Sequence, residues 1–173
     1  MEFRRARIDD FERIAELYKY VIDNTEHFST MVRWVYGLHP CDETVRAYIE
    51  EGSMYILLDG DTYVAVMAAP LYQTEDYDPI PWDESISKEE IIAVHILAVS
   101  PDYQGRGIAK QMLRNSIELA KENGKKAVRL DTFICNTRAQ HMYESFGFTK
   151  RGTRNAYTKN AGYIDFIYYE YKV

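Results

Sequence analysis

One stretch limits the fold more than any other. Residues 91–99 are apolar except for His95, the composition of a strand buried on both faces in the middle of a covered sheet. That strand runs through Ser100-Pro101-Asp102-Tyr103 into Gln104-Gly105-Arg106-Gly107. A helical pattern follows, with Ala109, Met112, Leu113, Ile117 and Ala120 on one face. A strand–turn–helix of this kind leaves the N–H groups of the first helical turn unpaired and aims them at one point, which suits phosphate. Gly105 and Gly107 let the backbone come close to a ligand. Arg106 and Lys110 add positive charge beside it.

Three phosphate-binding patterns compete for this turn. A P-loop needs G-x-x-x-x-G-K followed by Ser or Thr, and neither the glycine spacing nor the Lys-Ser or Lys-Thr pair is present. A dinucleotide fingerprint needs G-x-G-x-x-G, and Lys110 stands where the third glycine belongs. The third pattern is Arg or Gln, two residues, Gly, one residue, then Gly or Ala. Gln104-Gly105-Arg106-Gly107-Ile108-Ala109 fits it without a mismatch. Downstream, Asn136-Thr137-Arg138-Ala139-Gln140-His141-Met142-Tyr143-Glu144-Ser145-Phe146-Gly147-Phe148 reads as N-x-x-A-x-x-x-Y-x-x-x-G-F. With the strand His95-Ile96-Leu97-Ala98-Val99 ahead of them, the two motifs resemble the GCN5-related N-acetyltransferase (GNAT) superfamily in order and spacing.

Length and charge fit a single GNAT-like domain over residues 1–173, long enough for a substantial core. No apolar run reaches the length of a membrane span, and the N-terminus lacks an apolar signal region. Two cysteines, Cys41 and Cys135, imply no disulfide framework. These features lead to the expectation of a cytoplasmic protein with no membrane partner. The net charge of −6 hides an asymmetry. Residues 1–90 hold 8 Lys and Arg against 20 Asp and Glu, whereas residues 91–173 hold 13 against 7. The half with the turn therefore has the sign an anionic ligand needs, and the other half the sign that attracts a cationic amine. The basic residues are scattered rather than striped, so no nucleic-acid partner is expected. His27, His39, His95 and His141 are dispersed, with no H-x-x-x-H or C-x-x-C pair, so no metal is expected. There is no G-x-S-x-G elbow either.

Along the chain, residues 2–8 read as a weak edge strand. Asp9 and Glu12 have capping-box spacing before the helical pattern Phe11, Ile14, Ala15, Tyr18, Val21 and Ile22. Residues 24–40 read as a helix–loop connection, and residues 42–51 as a short helix ending at Gly52. Residues 54–58 and 63–69 read as a hairpin across Asp59-Gly60-Asp61. Residues 71–90 are acidic and carry Pro79 and Pro81, as a loop would. Strands follow at 127–134, 148–154 and 164–171, with Asn136 capping a helix between the first two. This order suggests a mixed α/β (α+β) sheet. The resemblance implies the same: a mixed, mostly antiparallel sheet of about six to seven strands flanked by helices, in an acyl-CoA N-acyltransferase fold.

The resemblance implies acetyl-CoA as co-substrate and transfer of its acetyl group to a primary amine by direct attack on the thioester. Transfer of another acyl group is a variant. A non-catalytic acyl-CoA-sensing or protein-binding module on the same fold is the competing class. Carried over residue by residue, Leu97, Ala98 and Val99 hold the pantetheine arm. Gln104, Gly105, Arg106, Gly107, Ile108, Ala109 and Lys110 take the pyrophosphate. Asn136 either touches the pantetheine amides or only caps its helix. Tyr143 faces the sulfur, and a phenol of pKa ~10 can protonate a departing thiolate. His95 is the candidate base, expected to face the same side as Leu97 two residues on. Acids of residues 71–90, or water, are the alternatives. Residues 24–40 and 71–90, with Trp34, Tyr36, Glu75, Asp76, Tyr77 and Trp82, are expected to wall the acceptor pocket. The acceptor is a small-molecule or peptide amine, and the resemblance also raises a homodimer.

Overall fold

The computed structural model describes residues 1–173. The apolar run forms β4 (Ile91–Val99) at the centre of a seven-stranded sheet. Before it come β1 (Glu2–Arg5), α1 (Phe11–Asn24), α2 (Phe28–Met31), α3 (Asp42–Glu50), β2 (Met54–Asp59) and β3 (Thr62–Ala68). After it come α4 (Ile108–Glu122), β5 (Ala127–Phe133), α5 (Thr137–Phe146), β6 (Thr149–Thr158) and β7 (Gly162–Lys172). The strand order is β1-β2-β3-β4-β5-β7-β6, and every pairing is antiparallel except β4 with β5. The mixed, mostly antiparallel sheet is as expected.

Each face of the sheet has its own core. One lies under α4 and α5, where Val94, Leu130 and Tyr169 meet Met112, Leu113, Ile117 and Tyr143. The other lies under α1 and α3, where Ile56, Val66 and Ala98 meet Ile14, Tyr18, Val45 and Ile49. Buried residues recur along α1 and α4 at helical spacing, which is why both helices lie flat on the sheet. The start of α1 differs from the Asp9–Glu12 reading. A 3₁₀ turn over Ile8–Asp10 precedes it, and the Asp10 carboxylate accepts the Arg7 N–H at 2.7 Å. Arg4 also pairs with Asp10, at 2.8 Å, so that carboxylate is committed before the helix begins.

Residues 71–90 hold little regular structure, only 3₁₀ turns at Glu75–Tyr77 and Lys88–Glu90, yet they are not a loose loop. They form a strap over the β5–β7 end of the α1–α3 face, the part of it that those two helices leave uncovered. Tyr77, Ile80 and Tyr168 form one buried cluster, and Ile86 packs with Ile91, Ala93 and Ala127 in another. Arg129, almost wholly buried, donates to Glu170 at 2.8 Å and to Gln73 at 2.5 Å, and its guanidinium lies 4.4 Å from the Trp82 ring centre. The strap lies so close to β6 that a Cβ on Gly152 would sit 3.2 Å from Pro81. Burying an arginine that answers to both strap and sheet ties the strap's position to the strand register.

The sheet opens where the site lies. β4 and β5 pair only from Ile91–Ala127 to Val94–Leu130. Beyond those residues both strands continue, β4 to Val99 and β5 to Phe133, without pairing to each other. On its other side β4 carries a bulge. Val66 pairs with Ala98 and Ala68 with His95, so β4 has one more residue than β3 across the interval. Ile96 takes φ 44° there, and the Tyr18 hydroxyl donates to its carbonyl at 2.8 Å from the core.

Candidate active site

A cavity of about 1390 Å³ runs through the gap between β4 and β5. Every residue expected to catalyse or to hold the co-substrate lines it except Arg106. At one end stands the turn. Gly105 and Gly107 take φ 75° and 79°, a left-handed conformation that side chains disfavour. A Cβ on either would point into open space. No side chain caps α4, so the N–H groups of its first turn face the cavity end free for an anion. Gln104 braces this end, its amide donating to Thr25 at 3.0 Å and to the Val99 carbonyl at 3.2 Å. Lys110 and Arg138 supply positive charge from the cavity wall. Arg106 lies instead over the Tyr103 ring, 5.1 Å from its centre.

In the middle of the cavity, Leu97, Ala98 and Val99 present the edge of β4 that β5 has left. Asn136 does the capping assigned to it. Its Oδ1 accepts the Ala139 N–H at 3.2 Å, and its Nδ2 donates to Thr132 at 3.1 Å. Tyr143 sits on α5 on the α4–α5 face. It is buried, lines the cavity, and makes no hydrogen bond through its hydroxyl to the protein. Desolvation, followed by the charge of Asp131, pushes its pKa well above the usual phenol value. Tyr143 is therefore protonated at any working pH.

His95 does not share a side with Leu97. The bulge at Ile96 inserts a residue between them and reverses the alternation, so Leu97 packs against the core under α4 while His95 faces α3 and the strap. Its ring stacks on Tyr48 at 6.3 Å and meets Tyr77 edge-on at 5.5 Å. Its Nε2 is buried and has no partner. Desolvation lowers its pKa to about 4, against the opposing pull of Asp76. The imidazole is neutral at pH 7, but its affinity for a proton is weak.

Of the residues expected to wall the acceptor side, Trp34 and Asp76 do so. Tyr36 is turned to Asp42, 2.8 Å away, Tyr77 is buried, Trp82 is half-buried with its indole N–H on the Tyr77 carbonyl, Glu75 is exposed, and none of the four lines the cavity. Two contributors were missed. One is Asp131 on β5, in the cavity wall past the last pairing with β4. The signal for it was the one carboxylate in a mostly buried strand. The other is the hairpin of β6 and β7, which is longer than the expected strands. At its tip the Asn160 amide donates to the Arg33 carbonyl at 2.8 Å and roofs the cavity against the segment after α2. No group of His, Cys, Asp and Glu has the arrangement of a metal site. No helix is long and apolar enough to cross a membrane.

A bulged central strand, a gap beside it and an uncapped helix N-terminus at the gap's end form one cleft in an open α/β sheet. Residues 8–148 match the acetyltransferase (GNAT) family, and the chain belongs to that family. The N-alpha-acetyltransferase RimI of Mycobacterium tuberculosis is 36% identical over 69 residues, 40% of this chain and 42% of that protein. Human N-acetyltransferase 8 is 27% identical over 111 residues, 64% of this chain and 45% of that protein. The chain spans less than half the length of these relatives. Among solved structures, a GNAT-family acetyltransferase of Streptococcus agalactiae superposes with a TM-score of 0.78 at 18% identity, covering 99% of this chain and 95% of the other. A structure from Salmonella typhimurium that carries its cofactor acetyl-CoA superposes at 0.72 and 16% identity, covering 99% and 93%.

Proposed function

We propose that this protein transfers an acetyl group from acetyl-CoA to a primary amine. The observation that carries the reading is the continuous cavity that joins the uncapped N-terminus of α4, the unpaired edge of β4 and the Tyr143 hydroxyl. The residues fit the co-substrate. The two left-handed glycines leave room that any side chain would fill. Lys110 and Arg138 match its charge, and the free edge of Leu97, Ala98 and Val99 offers the hydrogen bonds an extended amide arm can use. When bound, acetyl-CoA supplies the activated acyl carbon. The chain's own groups do the rest. The first turn of α4 fixes the diphosphate. A backbone N–H on the free edge of β4 polarises the thioester carbonyl, a preorganised term that is usually the largest in acyl transfer. Tyr143 donates a proton to sulfur as the C–S bond breaks.

The test is calorimetric titration with acetyl-CoA, followed by release of free thiol in the presence of a panel of small amines and peptides. Saturable binding with amine-dependent thiol release is expected. Absence of binding overturns the reading. Binding without turnover on any amine replaces it with an acyl-CoA-sensing module.

A further inference from the structure

We infer that Arg154 seats an anionic group on the acceptor, so that the amine this protein modifies is a small zwitterion, of which an amino acid is the simplest case. The inference rests on the acetyltransferase reading above and specifies its substrate. Arg154 lies on β6, half-buried, and lines the acceptor side of the cavity. Gly152, two residues earlier, lies so close to the strap that a Cβ on it would meet Pro81, so Arg154 stands on the same face. There its Nη1 donates to the Asp76 carbonyl at 2.5 Å. That bond goes to a backbone oxygen and leaves the charge itself unpaired. The cations around it are all paired. Arg129 meets Glu170, Arg151 meets Glu170 and Asp83, and Lys172 meets Asp83. Asp165, one place along in the β6–β7 register, accepts the Asn155 amide at 2.7 Å instead of Arg154.

A guanidinium at a cavity wall with no carboxylate partner is a place for an anion. The strap carbonyl holds one Nη, which sets the plane of the fork and leaves its other N–H groups to a carboxylate or a phosphate. Orientation is fixed before the ligand arrives, so little rotamer freedom is lost on binding. Opposite charges come close together here. Asp131 lies opposite Tyr168 in the β5–β7 register, and Arg154 lies opposite Phe166 in the next pairing. Burial, Asp131 and Asp76 push the Tyr168 hydroxyl up to about 12, and Arg154 pulls it back. The acceptor side thus presents acids and a cation around one phenol. A simple alkylamine complements only the acids. A polyamine adds repulsion from Arg154 and from Lys159 further along the wall. An acceptor that carries both signs complements both.

Arg154 is not placed to serve the phosphates of the co-substrate. Lys110 and Arg138 stand at the turn, where Arg138 donates to the Gln104 side chain at 3.4 Å. Arg154 joins the strap instead. The Asn160–Arg33 contact roofs this side of the cavity, so the anionic group belongs to a small molecule enclosed together with its amine, not to the far end of a long chain. Arg154 is also an exception to the charge division of the sequence. Through β6 the basic half sends a cation to the end where Asp76 of the acidic half stands.

The experiment measures thiol release from acetyl-CoA by wild type, Arg154→Gln and Arg154→Lys with matched pairs of acceptors. The pairs are leucine and isoamylamine, 4-aminobutyrate and butylamine, and phosphoethanolamine and ethanolamine. The members of a pair differ by one anionic group, and rates are compared at equal concentrations of unprotonated amine. Wild type should prefer the anionic member. A preference in the first two pairs assigns a carboxylate, and one in the third a phosphate. In Arg154→Gln, whose amide can still donate to the Asp76 carbonyl, the KM of the preferred member should rise about 10–10²-fold. The preference should collapse while acetyl-CoA affinity holds. Arg154→Lys keeps the charge without the fork and should recover part of the preference. A residue that only tied the strap to β6 would lower both members of a pair together, and that result overturns the inference. So does a wild type that uses the neutral members as well as the anionic ones. Failure to bind acetyl-CoA, or binding with none of the six acceptors turned over, overturns the acetyltransferase reading beneath it instead.

Discussion

In the proposed transfer the Tyr143 hydroxyl carries the proton to sulfur, and the Asp131 carboxyl lines the same cavity. Tyr143 is held protonated by burial and by the nearby Asp131 charge, so it can only donate. Tyr143→Phe keeps the ring that packs on Phe148 and Tyr169. It should therefore leave acetyl-CoA affinity intact while lowering kcat about 10²-fold or more, read by thiol release. Asp131 makes a second prediction, about stability. Its folded pKa, about 6, lies above that of an unfolded aspartate, so the folded state binds the proton more tightly. Stability from this group is highest below pH ~4 and is lost as pH rises to about 6. Asp131→Asn, whose amide oxygen can still accept from Tyr77, should be about 1–3 kcal/mol more stable than wild type at pH 7.5 and nearly equal at pH 4. Chemical denaturation at the two pH values checks this. Tyr143, Gly105 and Gly107 were legible because each sits at a fixed spacing in a motif. Asp131 was not, since a lone acid in a strand does not reveal that its neighbour strand diverges beside it.

Among the elements, most helices and strands follow from periodicity, because each has one face to bury and the spacing states which. The bulge in β4 could not be read this way. All of its residues are apolar around His95, so nothing marks the extra residue at Ile96, and the expected side for His95 came out reversed. The strap was also opaque. Its proline-containing, acidic composition describes a loop correctly but conceals that Tyr77, Ile80 and Ile86 are buried. What holds it is Arg129, which stacks on Trp82 and bonds Gln73 and Glu170 together. Glu170 also accepts from Arg151 at 2.5 Å, so removing Arg129 does not leave the glutamate wholly unpaired. Arg129→Met should cost about 3 kcal/mol, near the low end for breaking a buried ion pair. Because the strap carries Tyr77 to Asp131, the same variant should raise the KM for amine more than that for acetyl-CoA. Equal changes in the two constants would mean that the strap does not shape the acceptor side.

At the scale of the whole molecule, the charge division noted in the sequence becomes a division of labour across one cavity. Lys110 and Arg138 lie at the turn end, contributed by the basic half. Asp76, from the acidic half, stands beside Asp131 at the other end. The sheet between them is stitched at both edges and parted at its centre, so the native state leaves backbone groups of β4 without strand partners. A ligand that supplies those partners binds the folded state alone and must stabilise it. At a CoA concentration of 100 times Kd the gain is about 2.7 kcal/mol. For a domain of 173 residues that corresponds to a rise in melting temperature of about 5–10 °C. Gly107→Val should remove the rise for two separate reasons. Its Cβ would stand in the open space at the turn, and φ 79° is a conformation a β-branched residue resists. Differential scanning fluorimetry with and without CoA tests both proteins. A valine variant that still gains the full shift would place the diphosphate somewhere other than the N-terminus of α4.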